Sequence, residues 1–325
     1  MSLREVFSAL PVPDLVGSYY AHPIDRQYSV ARAHDGSPAI FLNLDAPQQS
    51  HTARRLANLR FEPARQVSIL GGSGQVRLAQ VAVLECTALE PGLVDHFFRL
   101  FSAMLLGPDG RLNQHAFEES LDALITLFRA LSRPGTRTVQ GLWGELAILV
   151  WSAEPAQAVS SWHSNPQAIH DFSAGLDRFE VKTTTRGLRE HTFRLEQLAT
   201  QGCGQTVIAS MMLEERRDGC SVPDLSELLG ARLGAGSETM RRVERVIVES
   251  LGSAWKEADQ VRYDLASARA SLLVFPADRI PCVALPIPPQ VKEVHLLIDL
   301  SSTDAVPVAD LRSAGGLFAA VLPSA

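Results

Sequence analysis

A chain of 325 residues that is 46% hydrophobic and 20% charged can bury the core of one large domain or of two modest ones. Its net charge of −6 excludes a protein that coats nucleic acid with its whole surface, and no apolar run approaches the length of a membrane span. Four scattered cysteines (Cys86, Cys203, Cys220, Cys282) form no close pair, which points to reduced thiols rather than a disulfide framework or a cysteine zinc site.

The first six residues carry an acid early and no long apolar segment, so a secretory signal is not expected and the cytoplasm is the expected compartment. The first hundred residues read mostly as antiparallel β. Residues 28–32 and 39–42 flank Asp35-Gly36, a hairpin signal. Residues 67–70 and 75–78 flank Gly71-Gly72-Ser73-Gly74, which no lysine or helix signal follows, so a hairpin turn is expected there rather than a phosphate cradle. Between residues 51 and 80, five arginines (Arg54, Arg55, Arg60, Arg65, Arg77) stand against one acid, Glu62. Such a basic region is a candidate phosphate contact, although a solvated face is the commoner outcome.

From Leu93 the period becomes helical, with Val94, Phe97, Phe98, Phe101 and Leu105 on one face. Phe117, Leu121, Leu124, Ile125 and Phe128 predict a second helix, ended by Pro134-Gly135, where a domain boundary is placed. A third helix is expected over 141–151. Glu145 is its only charged residue and lies too deep for a cap. A carboxylate among such neighbours costs free energy unless something binds it, which favours a functional role over a structural ion pair.

Residues 170–185, HDFSAGLDRFEVKTTT, set acids and a lysine into a β-hairpin pattern. Alternation puts Phe179 and Val181 on one face and Glu180 and Lys182 on the other. The turn at residues 174–177 returns Asp171 to the neighbourhood of Glu180. The chain has only three lysines (Lys182, Lys256, Lys292), and one falls in this patch. A compact ammonium that can approach neutrality when desolvated suits catalysis better than a guanidinium. An acid-x-lysine match alone is weak, since chance supplies one in roughly a third of chains so composed.

Strands are further expected at 191–195, 206–213, 261–275 and 291–300, and helices at 222–233 and 238–251. On the last helix, Arg241, Arg242 and Arg245 alternate with Glu238 and Glu244, which reads as salt-bridged surface. His163, His170, Asp171 and His191 fit no structural zinc spacing. The whole is a mixed α/β (α+β) chain.

The strings GLWGELAIL, W…HDF and FEVKTTT, followed by His191 and LEQL, resemble an uncharacterised bacterial family of the PD-(D/E)XK nuclease superfamily (DUF4420-like). The resemblance is specific between Gly141 and Leu198 and looser over the rest. It implies that Asp171 is the first acid of the motif, that Glu180 and Lys182 are its acid-x-lysine pair, and that Glu145 is the acid of the preceding helix. The proline that names the motif is absent, His170 standing before the aspartate. His191 and Gln197 match family residues without a fixed role.

The implied chemistry is phosphodiester hydrolysis with Mg²⁺ (or Mn²⁺). A hard cation takes oxygen ligands and keeps waters. Asp171, Glu180 and the Val181 carbonyl would hold it, with Glu145 at a second metal or a metal-bound water. Lys182 would orient or deprotonate the attacking water. Independently of the resemblance, Arg54, Arg55, Arg60 and Arg65 of the basic region are candidate substrate contacts.

The expected organisation is a β-rich module with trailing helices over 1–134, then a restriction-endonuclease-like mixed-sheet domain over 135–325. The expected function is a DNA endonuclease of bacterial restriction or anti-phage defence, with nucleic acid and defence-system proteins as partners, no membrane, and self-association open. The alternative is a non-catalytic DNA-binding or assembly subunit that keeps the nuclease fold.

Overall fold

The alternating N-terminal segments fold into antiparallel strands, and the helical period after residue 90 folds into helices packed beside them. The computed structural model describes all residues except 1, 45–50, 57, 72–74, 108, 164–167, 199–201, 203, 235, 284–286, 289 and 325; the tip of the glycine-rich loop and Cys203 thus lie outside the described residues. These divide into two units, residues 1–133 with 235–241, and residues 134–234 with 242–325. The division falls at Pro134, and the short stretch 235–241 sorts with the first unit.

The first unit begins with α1 (Leu3–Ala9), whose Ser2 and Glu5 form a reciprocal capping box. Six strands follow: β1 (Ser18–Pro23), β2 (Tyr28–Ala33), β3 (Pro38–Leu42), β4 (Arg54–Arg55), β5 (Leu59–Leu70) and β6 (Val76–Cys86). Their order is β1-β2-β3-β6-β5-β4, and β1 also pairs in parallel with the end of β5, so the sheet closes on itself and leaves β4 as an appendage. Closure removes most of the free edge. Tyr19, Ala31, Phe41, Val67 and Val83 fill the interior. The helices α2 (Pro91–Leu105) and α3 (Phe117–Ala130) complete the unit.

The second unit opens with α4 (Val139–Trp151) and α5 (Pro155–Ser161), then β7 (Phe172–Ala174), β8 (Asp177–Thr184), β9 (Glu190–Arg194), α6 (Leu195–Leu198) and β10 (Thr206–Met212). It continues with β11 (Glu215–Cys220), α7 (Val222–Leu233), α8 (Glu238–Leu251, from Arg242 onward in this unit), α9 (Trp255–Gln260), α10 (Leu265–Ala270), β12 (Leu273–Pro276), β13 (His295–Asp299), α11 (Val308–Ser313) and α12 (Gly316–Val321). The central sheet is mixed, in the order β12-β10-β8-β7, with β8 and β10 parallel and the outer pairs antiparallel.

Two expectations are corrected. Residues 261–275 are not one strand: Asp264 Oδ1 accepts from the N–H groups of Ala266 and Ser267 at 2.9 Å each and caps α10, leaving a strand only from Leu273. The 291–300 strand is shorter, beginning at His295, and β9 pairs with it rather than extending the β7–β8 hairpin. The second edge of β8 is already taken by β10.

The two faces of the sheet set up the site. On one, a Cβ at Gly144 would lie 2.3 Å from Thr183 Cγ2 and 3.3 Å from both Val181 Cγ1 and Met211 Cε, so α4 presses on β8 and β10 where only glycine fits. On the other, Ile208 and Phe275 pack with Phe193, Leu198 and Leu300. Glu180 stands beside Ile208 in the parallel register and so belongs to this second face. No helix among the described residues is long and apolar enough to cross a membrane.

Candidate active site

The β7–β8 hairpin turns through Gly175 at φ +55°, a conformation that favours glycine. Its register sets Phe172 opposite Phe179 and ends there, one residue short of Asp171. Asp171 Oδ2 instead accepts from the Val181 N–H at 2.8 Å, so a side chain continues the ladder where the edge strand stops. The expected liganding residue Val181 is buried on β8 with its amide engaged in this way.

Glu180 is 3% exposed. Its Oε1 lies 2.8 Å from Lys182 Nζ and also accepts from Gln197 Nε2. Its Oε2 is buried and has no hydrogen-bond partner among the described residues. Burial, then the neighbouring charge of Asp171, push the Glu180 carboxyl up to about 8, against the pull of Lys182.

Lys182 Nζ also donates to Gln197 Oε1 at 3.0 Å and lies 5.1 Å from the centroid of Phe193. Gln197 is saturated: its oxygen additionally accepts from the Arg194 N–H at 3.0 Å, and its nitrogen donates to the Ile169 carbonyl at 3.1 Å. One buried amide therefore fixes both the ammonium and the carboxylate. Sequence had singled out Gln197 without assigning it this role.

Glu145 is buried on α4 and feels the charges of Asp171 and Glu180. Its Oε2 accepts from Arg137 at 2.5 Å and from Trp162 Nε1 at 2.6 Å. Burial raises its pKa well above the usual range, with Asp171 adding to the effect and Arg137 opposing it. The ion pair that sequence ranked second is thus present. Arg137 was missed because nothing in its local pattern marks it; Trp162 was visible only as part of the family string.

His191 does not join this group. Its Nε2 meets Ser210 Oγ at 2.8 Å, and burial pulls its pKa down to about 4, so it is a neutral buried support. His170 Nε2 faces the Gln197 carbonyl at 3.2 Å, and His163 bonds the Ser173 hydroxyl. These histidines are dispersed among different partners.

The four N-terminal arginines are engaged within their own unit. Arg60 and Arg65 both reach Oε2 of the buried Glu85, at 2.5 and 2.9 Å, and Tyr19 donates to the other oxygen at 3.2 Å. Arg55 pairs with Glu62 at 3.2 Å, and Arg54 with Asp122 at 3.3 Å and Glu118 at 3.6 Å. Four of the five arginines counted along the sequence are thus paired with acids of their own unit.

Among the described residues, no three of His, Cys, Asp or Glu come together as a ready metal cage. The site still suits a hard divalent ion. Its available donors are oxygens, and a buried carboxylate oxygen lacks a partner beside a second carboxylate. Mg²⁺ typically takes one or two carboxylates and retains waters, so a full cage is not required.

A family model described as "Putative PD-(D/E)XK family member, (DUF4420)" matches residues 4–301. No curated protein and no solved structure matches the chain.

Proposed function

We propose that this chain, which belongs to the DUF4420 family of PD-(D/E)XK members, is a metal-dependent nuclease that hydrolyses phosphodiester bonds of nucleic acid, DNA in the first instance. The observation that carries this is the Glu180 carboxylate, with one oxygen paired to Lys182 at 2.8 Å and the other buried beside Asp171 without a partner among the described residues.

Asp171 and Glu180, with the Val181 carbonyl, would hold Mg²⁺ or Mn²⁺. Such an ion, when bound, offsets the charge that develops on the attacked phosphate and lowers the pKa of a bound water. Lys182 supplies the positive charge and the proton acceptor or donor next to the attacking water. Gln197 keeps its amine from swinging away, since a rotamer-rich lysine must otherwise be ordered at the moment of reaction. Glu145, held by Arg137 and Trp162, stands behind the site and would add negative potential there only once a bound cation favours its ionised form.

A setting in bacterial restriction or anti-phage defence, alongside partner proteins, is supported by the family resemblance alone.

The test is cleavage of supercoiled plasmid DNA with Mg²⁺ or Mn²⁺ by the wild type, Glu180→Gln and Lys182→Ala. Cleavage by the wild type and its loss in both folded variants is expected, with metal affinity lost only in Glu180→Gln. If both variants cut as well as the wild type, the assignment fails. If both retain full biological activity in cells carrying partner genes, the non-catalytic subunit is favoured instead.

A further inference from the structure

Arg137, Arg178 and Arg242 are distant in sequence, yet they gather around the Trp162–His163 segment next to Asp171. Arg137 donates to the His163 carbonyl at 2.7 Å. Arg242 donates to the preceding carbonyl, of Trp162, at 2.6 Å and to that of Val159 at 3.1 Å. Two guanidinium groups thus sit on successive carbonyls. Arg178 arrives from β8, where it stands opposite Ser173, whose hydroxyl bonds the His163 ring. The His163 N–H in turn donates to the Asp171 carbonyl at 2.9 Å. A cationic rim therefore flanks the first acid of the site.

Their partners matter more than their number. Arg137 is matched by Glu145. Arg178 is braced by the carbonyls of Gly175 at 2.9 Å and Asp177 at 2.8 Å, and Arg242 by the two carbonyls just named, and among the described residues neither pairs with a carboxylate. The adjacent Asp177 carboxylate is turned to the Gln205 N–H at 3.1 Å. A guanidinium held by carbonyls keeps its full charge and has donors to spare for a planar, bidentate anion. Both side chains are half-buried, where bulk salt screens a charge less. His163, which burial and then the fields of Arg178, Arg242 and Arg137 keep from protonating, adds no charge of its own. The helix that sequence assigned to salt bridges makes one at Arg241–Glu238, at 3.4 Å, but directs Arg242 to the Trp162 carbonyl.

We infer that Arg178 and Arg242, with Arg137 behind them, form a phosphate-binding flank that grips the nucleic-acid backbone beside the scissile position. The inference rests on the proposal that the Asp171–Glu180–Lys182 centre acts on phosphodiesters. It moves the substrate contact from the arginines of β4 and β5 to the rim of the site itself. Contacts of this kind position a strand and carry no sequence information.

The experiment uses the full chain carrying Lys182→Ala, so that binding is read without cleavage and without metal. A short fluorescein-labelled DNA duplex and its single strand are titrated at several salt concentrations. Arg178→Gln and Arg242→Gln, which keep hydrogen bonding and lose charge, should each flatten the slope of log affinity against log salt. The expected loss is about 0.9 per contact on duplex or about 0.7 on single strand, and roughly twice that in the double variant. Arg178→Lys and Arg242→Lys should restore most of the slope, which separates lost charge from lost folding. Arg54→Gln and Arg55→Gln should leave it unchanged. Slopes unaltered in the Arg178 and Arg242 variants, or no binding of either probe by the parent, would overturn the inference. Arginine-dependent binding by a chain whose Lys182 form never cuts DNA would retain the flank while rejecting the nuclease.

Discussion

Gln197 Oε1 accepts a hydrogen bond from Lys182 Nζ at 3.0 Å. The same amide donates to Glu180, so a helix of four residues, Leu195–Leu198, positions both members of an acid-x-lysine pair on a strand. Gln197→Ala would leave the buried Glu180 carboxylate and the Ile169 carbonyl without this donor. A loss of about 1–3 kcal/mol in folding stability is expected from unsatisfied buried groups, measured by urea unfolding. Under the proposed function, kcat falls with little change in KM, because the lysine is misplaced rather than the substrate released.

The pH dependence of Glu180 has a definite sign. Its carboxyl titrates near 8 in the folded chain against 4.5 for an unperturbed group, so between these values the unfolded chain gives up a proton that the folded chain keeps. Stability contributed by the neutral form is present below the unfolded value and is lost as pH rises toward the folded one. Glu180→Gln removes this loss. Without metal, the melting temperature of the variant relative to wild type should increase from pH 5 to pH 8. Mn²⁺ affinity of the wild type, read by calorimetry, should rise over the same window as the proton leaves.

Arg137 and Glu145 form a buried pair, and removing the cation is the damaging half. Arg137→Ala should destabilise by about 3–5 kcal/mol, since it strands a buried carboxylate. The deficit should shrink as pH falls, because a protonated Glu145 needs no cation and burial already favours that form. Glu145→Gln should cost less. A deficit that is flat from pH 5 to pH 8 would deny the pair its charge.

Gly144→Ala tests how closely α4 approaches the sheet. The added methyl would meet Thr183 Cγ2 at 2.3 Å, so the helix or the strand must move. A destabilisation of about 1–3 kcal/mol is expected. Thr183→Ser removes that methyl and keeps the hydroxyl that faces Gln140 Nε2 at 3.1 Å, so the double variant should recover part of the loss. Thermal unfolding of the two single variants and the double decides this.

Much of the fold was legible because its signals are local. The hairpin at Asp35-Gly36, the helices at 222–233 and 238–251, and the buried strand from Thr206 follow from turn chemistry and periodicity. The α10 helix was misread as strand because Leu265–Ala270 is too short to display a helical period, and its signal is the single cap Asp264. At the site, the backbone pattern placed Asp171, Glu180 and Lys182 in one hairpin, since β alternation and a glycine turn act over a few residues.

By itself the sequence determined that Asp171, Glu180 and Lys182 fall within one short stretch, that a helix carries Glu145, and that the architecture is mixed α/β, because periodicity and turn chemistry act over a few residues. Only the tertiary structure decided which charges are free. Arg137 meets Glu145, Arg60 and Arg65 converge on Glu85, and Arg242 turns to the Trp162 carbonyl. Counting charges along a chain cannot reveal these partnerships. Electrostatic energy depends on distance and burial in three dimensions, and chain folding brings residues dozens of positions apart to within 3 Å of one another.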